Sequence, residues 1–176
     1  IKSLNKSKKE KEIYCLASNN NPGISDICNE LKIVDISNSE IIRDYSIKQS
    51  INIAIIGPEN PLAYGVADSL WEAGIGVIGP KKNLAQIETS KSFTRNLLRE
   101  YKIPGCPKFK TFTNMEGVED FLSLLGDNYV VKYDGLAGGK GVKVAGDHLH
   151  SHEEALSYCE ELIESGGHFV IERKLI

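Results

Sequence analysis

The stretch that decides the reading is residues 129–144, YVVKYDGLAGGKGVKV. A short apolar run ends in Lys132, and a second apolar run starts at Val142. Between them lies a loop carrying Gly135, Gly138, Gly139 and Gly141, with Lys140 among them. Strand, glycine loop, strand is a hairpin. Glycine has no Cβ, so backbone N–H groups in such a loop can approach a phosphate closely and adopt positive φ without steric cost. Lys132 at the base and Lys140 on the loop add positive charge. The pattern points to a nucleoside triphosphate.

Two better-known phosphate loops do not fit. A P-loop requires G-x-x-x-x-G-K-[ST] followed by a helix. Here Gly135 and Gly139 are one residue too close, and Gly141 occupies the Ser/Thr position. Gly74, Gly76 and Gly79 do spell G-x-G-x-x-G. That fingerprint must follow a strand and open a helix, whereas Gly74 closes a helical segment and residues 75–78 read as a strand.

Working outward, residues 12–17, 33–36, 51–56 and 75–78 read as strands. Helices are expected over 24–31, from Ser37 or Ser39 to Lys48, and over 63–73 with Val66, Ala67, Leu70 and Trp71 facing a core. Strands alternating with helices indicate a parallel α/β sheet. The wholly apolar run around 51–56 suits a strand covered on both faces. After Gly79 the rhythm changes. A helix capped by Thr89 or Ser90 runs to Tyr101, and residues 102–107 form a turn. Capping boxes at 113–116 and 151–154 open helices reaching Leu125 and about Glu164. Residues 168–171 form a last strand. Residues 1–11 are basic and read as the back half of a surface helix.

Bulk properties narrow the function classes. The chain has 176 residues, 41% of them hydrophobic, which is enough to bury a core. Lys+Arg number 21 against 24 Asp+Glu, so no broad basic field argues for nucleic acid. No apolar run approaches a membrane span. Cys15, Cys28, Cys106 and Cys159 are scattered without a C-x-x-C pair, which suits reduced thiols of a cytoplasmic protein. His148, His150 and His152 alternate as metal ligands on a strand would. They fall in the turn before a capped helix, so surface histidines are the favoured reading.

Each basic residue also has an ordinary reading. Read alone, the loop fits a mobile hairpin as well as a phosphate cradle, and Lys91 or Lys132 could be a snorkelling surface lysine. Glu59, between two prolines, suits a turn as well as a substrate contact. The order of these residues along the chain favours the joint reading.

That order resembles a known family. Residues 88–91 (ETSK), Ile103-Pro104, residues 131–142 (VKYDGLAGGKGV) and Val170-Ile171-Glu172, with residues 57–62 (GPENPL) and Gly79-Pro80, resemble phosphoribosylamine–glycine ligases of the ATP-grasp superfamily. The resemblance extends from about Glu12 to the last residue. It implies a truncated doubly wound parallel-sheet N-terminal domain over 1–87, lacking its first strand. The first part of an ATP-grasp domain then covers 88–176. It also implies ATP-dependent joining of glycine to 5-phosphoribosylamine, the alternatives being another ATP-grasp carboxylate–amine ligase or a non-catalytic nucleotide-binding module. Lys91 and Lys132 would contact the ATP phosphates, and Gly138, Gly139, Lys140 and Gly141 would close over them. Glu172, Arg173 and Leu175 would belong to the adenine hinge. Gly57, Pro58, Glu59 and Pro61 would touch glycine or phosphoribosylamine. Where the family usually has Glu-Glu-x-Leu at the hinge, this chain has Glu172-Arg173-Lys174-Leu175. Catalytic residues and ligands for Mg²⁺ or Mn²⁺ are expected beyond residue 176, so the chain alone is expected to lack ligase activity. The absent strand is expected to leave an exposed apolar edge or gap. The implied partners are small molecules, with neither nucleic acid nor membrane.

Overall fold

The glycine hairpin is real: β6 (Tyr129–Tyr133) and β7 (Val142–Val144) pair antiparallel with Lys132 opposite Val142. The computed structural model describes residues 1–175, and Ile176 lies outside the described residues. The chain divides into two compact units, 1–85 and 86–176.

In the first unit, α1 (Lys2–Asn5) is one turn only, so the surface helix expected over 1–11 is not formed. Then come β1 (Tyr14–Ala17), α2 (Pro22–Ser25) and β2 (Glu30–Ile33). The helix expected over 24–31 stops early. Asn29 exchanges hydrogen bonds with Ile13, its N–H donating to the Ile13 carbonyl and its side-chain oxygen accepting from the Ile13 N–H. This starts the parallel ladder of β1 and β2 at Tyr14 and Glu30, three residues before the expected strand. Next is α3 (Ser39–Lys48), capped by Asn38, whose side chain accepts from the N–H groups of Glu40 and Ile41. Asn38, rather than either neighbouring serine, therefore caps this helix.

β3 (Ile53–Ile55) leads to α4 (Glu59–Ala63) and α5 (Val66–Glu72), which are separated at Gly65, φ 79°. β4 (Gly76–Ile78) pairs parallel with β3. Val66, Ala67 and Leu70 are buried as the helical period requires, but Trp71 is 46% exposed. Trp71 lies at the flank of the stripe on the last turn of a seven-residue helix. The parallel strands form two separate pairs, β1–β2 and β3–β4. They contribute to one apolar cluster, with Leu16 from β1 and Ala54 from β3 packed around Ile42, Val66, Leu70 and Ile75. Ile53 and Ile55 are exposed, so β3 is covered on one face and not on both.

The division between the units falls within α6 (Lys82–Thr89), a helix the sequence pattern did not suggest. α7 (Lys91–Glu100) is capped by Ser90, whose hydroxyl accepts from Phe93 N–H. β5 (Phe109–Phe112) precedes α8 (Val118–Leu125). The expected capping box at 113–116 is instead an Asx turn, Asn114 accepting from Glu116 N–H, and α8 starts after Gly117 at φ 73°. After β6 and β7, α9 (His152–Glu164) is capped by Ser151, accepting from Glu154 N–H. β8 (Phe169–Arg173) is the last element among the described residues.

The sheet order is β5–β8–β6–β7, antiparallel throughout. Its register sorts the side chains by face, because alternate residues of a strand point opposite ways. Phe112, Tyr129, Val131, Phe169 and Ile171 join α8 and α9 in one apolar core. Cys159 sits in that core, and burial pushes its thiol up to about 12. The opposite face carries Val130, Lys132, Val170 and Glu172.

Candidate nucleotide site

β8 reads Phe169-Val170-Ile171-Glu172, and all four residues are buried. A carboxylate at a buried sheet position needs partners. Glu172 has two. Arg95 donates through Nε to one carboxylate oxygen at 2.6 Å and through Nη2 to the other at 3.1 Å. Lys132 donates to Glu172 Oε1 from the neighbouring strand. The pairing register makes this possible: Val130 lies opposite Glu172 and Lys132 opposite Val170, so Lys132 and Glu172 are diagonal neighbours on one face. Arg95 arrives from α7. Burial opposes ionisation of Glu172, but the hydrogen bonds and charges of Arg95 and Lys132 outweigh it and hold the carboxyl below its ordinary value. The same bond pushes the Arg95 guanidinium up.

The loop beyond Lys132 is anchored at its base. Asp134 N–H donates to the His168 carbonyl at 2.8 Å, and Tyr133 N–H to the Gly141 carbonyl at 2.7 Å. The Asp134 carboxylate accepts from Ser92 N–H and the Ser90 hydroxyl at the start of α7. Lys91 Nζ donates to the Gly135 carbonyl at 2.9 Å. At the tip, Lys140 N–H donates to the Ala137 carbonyl across Gly138 and Gly139, with φ of 54° and 81°. Positive φ at both central positions is the pattern of a type I′ turn, for which glycine is the natural residue. Lys140 is exposed on that turn.

The structure therefore gathers Lys91, Lys132 and the hairpin Gly138–Gly141 around one end of the sheet, with Glu172 beside Lys132. Arg173 is exposed at the end of β8, and Leu175 is 69% exposed. The N–H groups of Arg173 and Lys174 already donate to Lys108 and Asn128 carbonyls, so a base at this edge meets carbonyl groups more readily than these donors. Sequence reasoning gave Arg95 and Asp134 no role in the site, and gave Ser90 only that of a helix cap. Arg95 had a signal: it stands four residues after Lys91, on the same face of one helix.

Gly57, Pro58, Glu59 and Pro61 lie apart in sequence, in the first unit, at the carboxyl end of β3. Pro58 is the N-cap of α4, Glu59 is exposed in its first turn, and Pro61 is buried. Gly79 closes β4 beside them: a Cβ there would meet Leu62 at 3.1 Å and Ile56 at 3.4 Å. Loops at the carboxyl ends of parallel strands are where α/β sheets bind ligands. Among the described residues, no group of three or more His, Cys, Asp or Glu side chains could hold a metal ion. His148 Nδ1 accepts from Val144 N–H, and His152 Nε2 contacts the Gly126 carbonyl.

Comparison with protein families gives matches along the whole chain. Residues 1–88 match the phosphoribosylglycinamide synthetase N domain, and residues 89–176 match the ATP-grasp (A) domain of the same synthetase. The chain belongs to the phosphoribosylglycinamide synthetase family. A phosphoribosylamine–glycine ligase of Methanosarcina barkeri is 44% identical over 173 residues, covering 98% of this chain and 40% of that protein. The chain thus spans about two-fifths of the length of the curated synthetases it matches. Among solved structures, phosphoribosylamine–glycine ligase of Thermotoga maritima aligns at 23% identity with TM-score 0.65, over 89% of this chain and 36% of that one. An ADP complex of N5-carboxyaminoimidazole synthetase from Staphylococcus aureus aligns at TM-score 0.67 and 13% identity, over 93% and 40%. These two likenesses show a shared fold.

Proposed function

We propose that the protein containing this chain is an ATP-dependent phosphoribosylamine–glycine ligase, and that residues 86–176 supply part of its nucleotide site. The observation that carries the reading is the convergence of Lys91, Lys132 and the Gly138–Gly141 turn at one end of the antiparallel sheet. In the reaction, a glycine carboxylate oxygen attacks the γ-phosphorus of ATP and ADP departs. The amine of phosphoribosylamine then attacks the glycyl phosphate carbonyl and phosphate departs, leaving glycinamide ribonucleotide. Such chemistry asks the protein for positioning and charge neutralisation rather than a covalent side chain.

In this reading Lys132 and Lys91 neutralise phosphate charge, and the N–H groups of 138–141 line the phosphates. Glu172, Arg173 and Leu175 border the adenine. Gly57, Pro58, Glu59 and Pro61 contribute to the glycine or phosphoribosylamine site. A divalent cation, Mg²⁺ or Mn²⁺, would arrive with the nucleotide, with its protein ligands beyond residue 176. The compartment fitting this chemistry and the free cysteines is the cytoplasm.

The test has two arms. ATP titration of this chain and of Lys132→Met reads the site: binding weakened at least about tenfold by the substitution supports it, and equal binding overturns it. ADP release by the whole protein reads the substrates. Dependence on both glycine and phosphoribosylamine supports the ligase, whereas dependence on another carboxylate and amine makes it a different ATP-grasp ligase. Glycinamide ribonucleotide formed by this chain alone would overturn the view that the rest of the protein is needed.

A further inference from the structure

The lysine assigned to phosphate is not waiting for it. Lys132 is held by Glu172, which is 4% exposed, and that same carboxylate is gripped through both oxygens by Arg95. For Lys132 to reach a phosphate it must give up its carboxylate partner at least in part. A buried carboxylate stripped of its only cation would resist this strongly, because an uncompensated charge in the interior is costly. With a second cation in place, the resistance falls.

We infer that Arg95 is a positioning residue: it keeps the Glu172 carboxylate neutralised so that Lys132 is free to turn from Glu172 to the nucleotide phosphate. The inference rests on the nucleotide reading above and deepens it. Three features support the assignment. Arg95 uses two nitrogens on two oxygens, a geometry that fixes the carboxylate in place without help from Lys132. Arg95 and Lys132 approach from different elements, α7 and β6, so one can move while the other stays. Both cationic side chains are 22% exposed, against 5% for the Glu172 side chain, so each cation can reach outward but the carboxylate cannot follow. Around the carboxylate the sheet offers only apolar neighbours, Val130 from β6 and Phe109 from β5 in the paired positions. Among the described residues, no cation other than Arg95 and Lys132 forms an ion pair with it.

The experiment is a double-substitution cycle on the full 176-residue chain, read by ATP titration in the unsubstituted chain, Arg95→Leu, Glu172→Gln and the double variant. Arg95→Leu leaves Lys132 as sole counter-ion and is expected to weaken ATP binding about tenfold or more. Adding Glu172→Gln removes the charge that traps Lys132 and is expected to restore binding to within about threefold of Glu172→Gln alone. A role limited to holding the fold predicts the reverse, with the double variant no better than Arg95→Leu. Arg95→Lys, which keeps the charge, is expected to bind more tightly than Arg95→Leu.

A second readout needs no nucleotide. The rate at which an amine-acylating reagent labels Lys132, followed by peptide mass spectrometry, should fall in Arg95→Leu and recover in the double variant. Should Arg95→Leu lose its cooperative thermal melt, Arg95→Gln takes its place in both measurements. Absence of ATP binding by the unsubstituted chain overturns the nucleotide reading and this inference with it. Intact ATP binding with no effect of Arg95 overturns this inference alone.

Discussion

Lys91, the first residue of α7, donates a 2.9 Å hydrogen bond to the carbonyl of Gly135, 44 residues along the chain. Next to it, Asp134 accepts from Ser92 N–H at 3.2 Å and from the Ser90 hydroxyl at 3.3 Å. The start of the glycine loop is thereby docked on the N-terminus of a ten-residue helix, where a carboxylate is favoured by the exposed N–H groups and the helix dipole. Lys91→Met should release this end of the loop without touching the core on the other sheet face. Hydrogen exchange of peptides covering 134–141 is expected to speed up several-fold while 168–173 keeps its protection. Equal exchange in the two proteins would show that Lys91 does not hold the loop. The expected stability loss is about 1 kcal/mol, that of one partly exposed hydrogen bond.

Glu172 gives the chain an acid sensitivity with a definite sign. Its carboxyl is held below the ordinary value of 4.5, burial opposing and the Arg95 and Lys132 bonds prevailing. A lowered folded-state value means stability that is fully present above the ordinary carboxyl range and is lost as pH falls through the lower folded value. Glu172→Gln should therefore cost stability at pH 7, about 3 kcal/mol, the low end for breaking a buried pair because both cations can reach water. The difference between the two proteins should shrink as pH drops below about 4.5 and vanish once the native carboxyl is protonated. Denaturant melts at pH 7, 4 and 2.5 check this, and a gap that stays constant with pH would refute the assignment.

The hairpin, its lysines and the starts of α7 and α9 were legible because they depend on local chemistry. Ser90 and Ser151 cap their helices as hydroxyls before an apolar stripe should, and the glycines mark the turn. The β2 register was not legible, since it is fixed by Asn29 meeting Ile13 across sixteen residues. Likewise Glu172 read as part of a hinge. Its meeting with Lys132 depends on how β6 and β8 align, and one residue of slip would have put it on the other face. Arg95 reached the site by helix packing, of which only its spacing from Lys91 was readable. Trp71 and the isoleucines of β3 went astray for another reason: an apolar pattern says what wants to be covered, not what covers it.

Those isoleucines carry a prediction. Ile53 and Ile55 alternate on one face of β3, and Ile78 stands opposite Ile55 on β4; they are 64%, 50% and 60% exposed. An apolar face of this kind favours association in water. The isolated chain is expected to self-associate as concentration rises, and Ile53→Thr with Ile78→Thr, β-compatible and polar, should shift it toward monomer. Light scattering across a concentration series decides: a clean monomer in the unsubstituted chain would rule the prediction out.

Two glycines of the hairpin should fail for different reasons. Gly139 sits at φ 81°, and a Cβ there would meet nothing within 4 Å. Gly139→Ala is thus opposed by backbone conformation alone, about 1 kcal/mol. Gly139→Asn should cost less, since Asn tolerates the left-handed region. Gly141 is the converse: its Cβ would lie 2.9 Å from the Ala137 Cβ and 3.0 Å from that of Tyr133. Gly141→Ala must push the hairpin base apart, disturbing the Tyr133 N–H bond to the Gly141 carbonyl, at about 1–3 kcal/mol. Asn should rescue position 139 but not 141, where the larger side chain crowds further. Thermal melts of the four variants separate conformational from steric cost, and rescue at both positions, or at neither, would contradict the geometry of the loop.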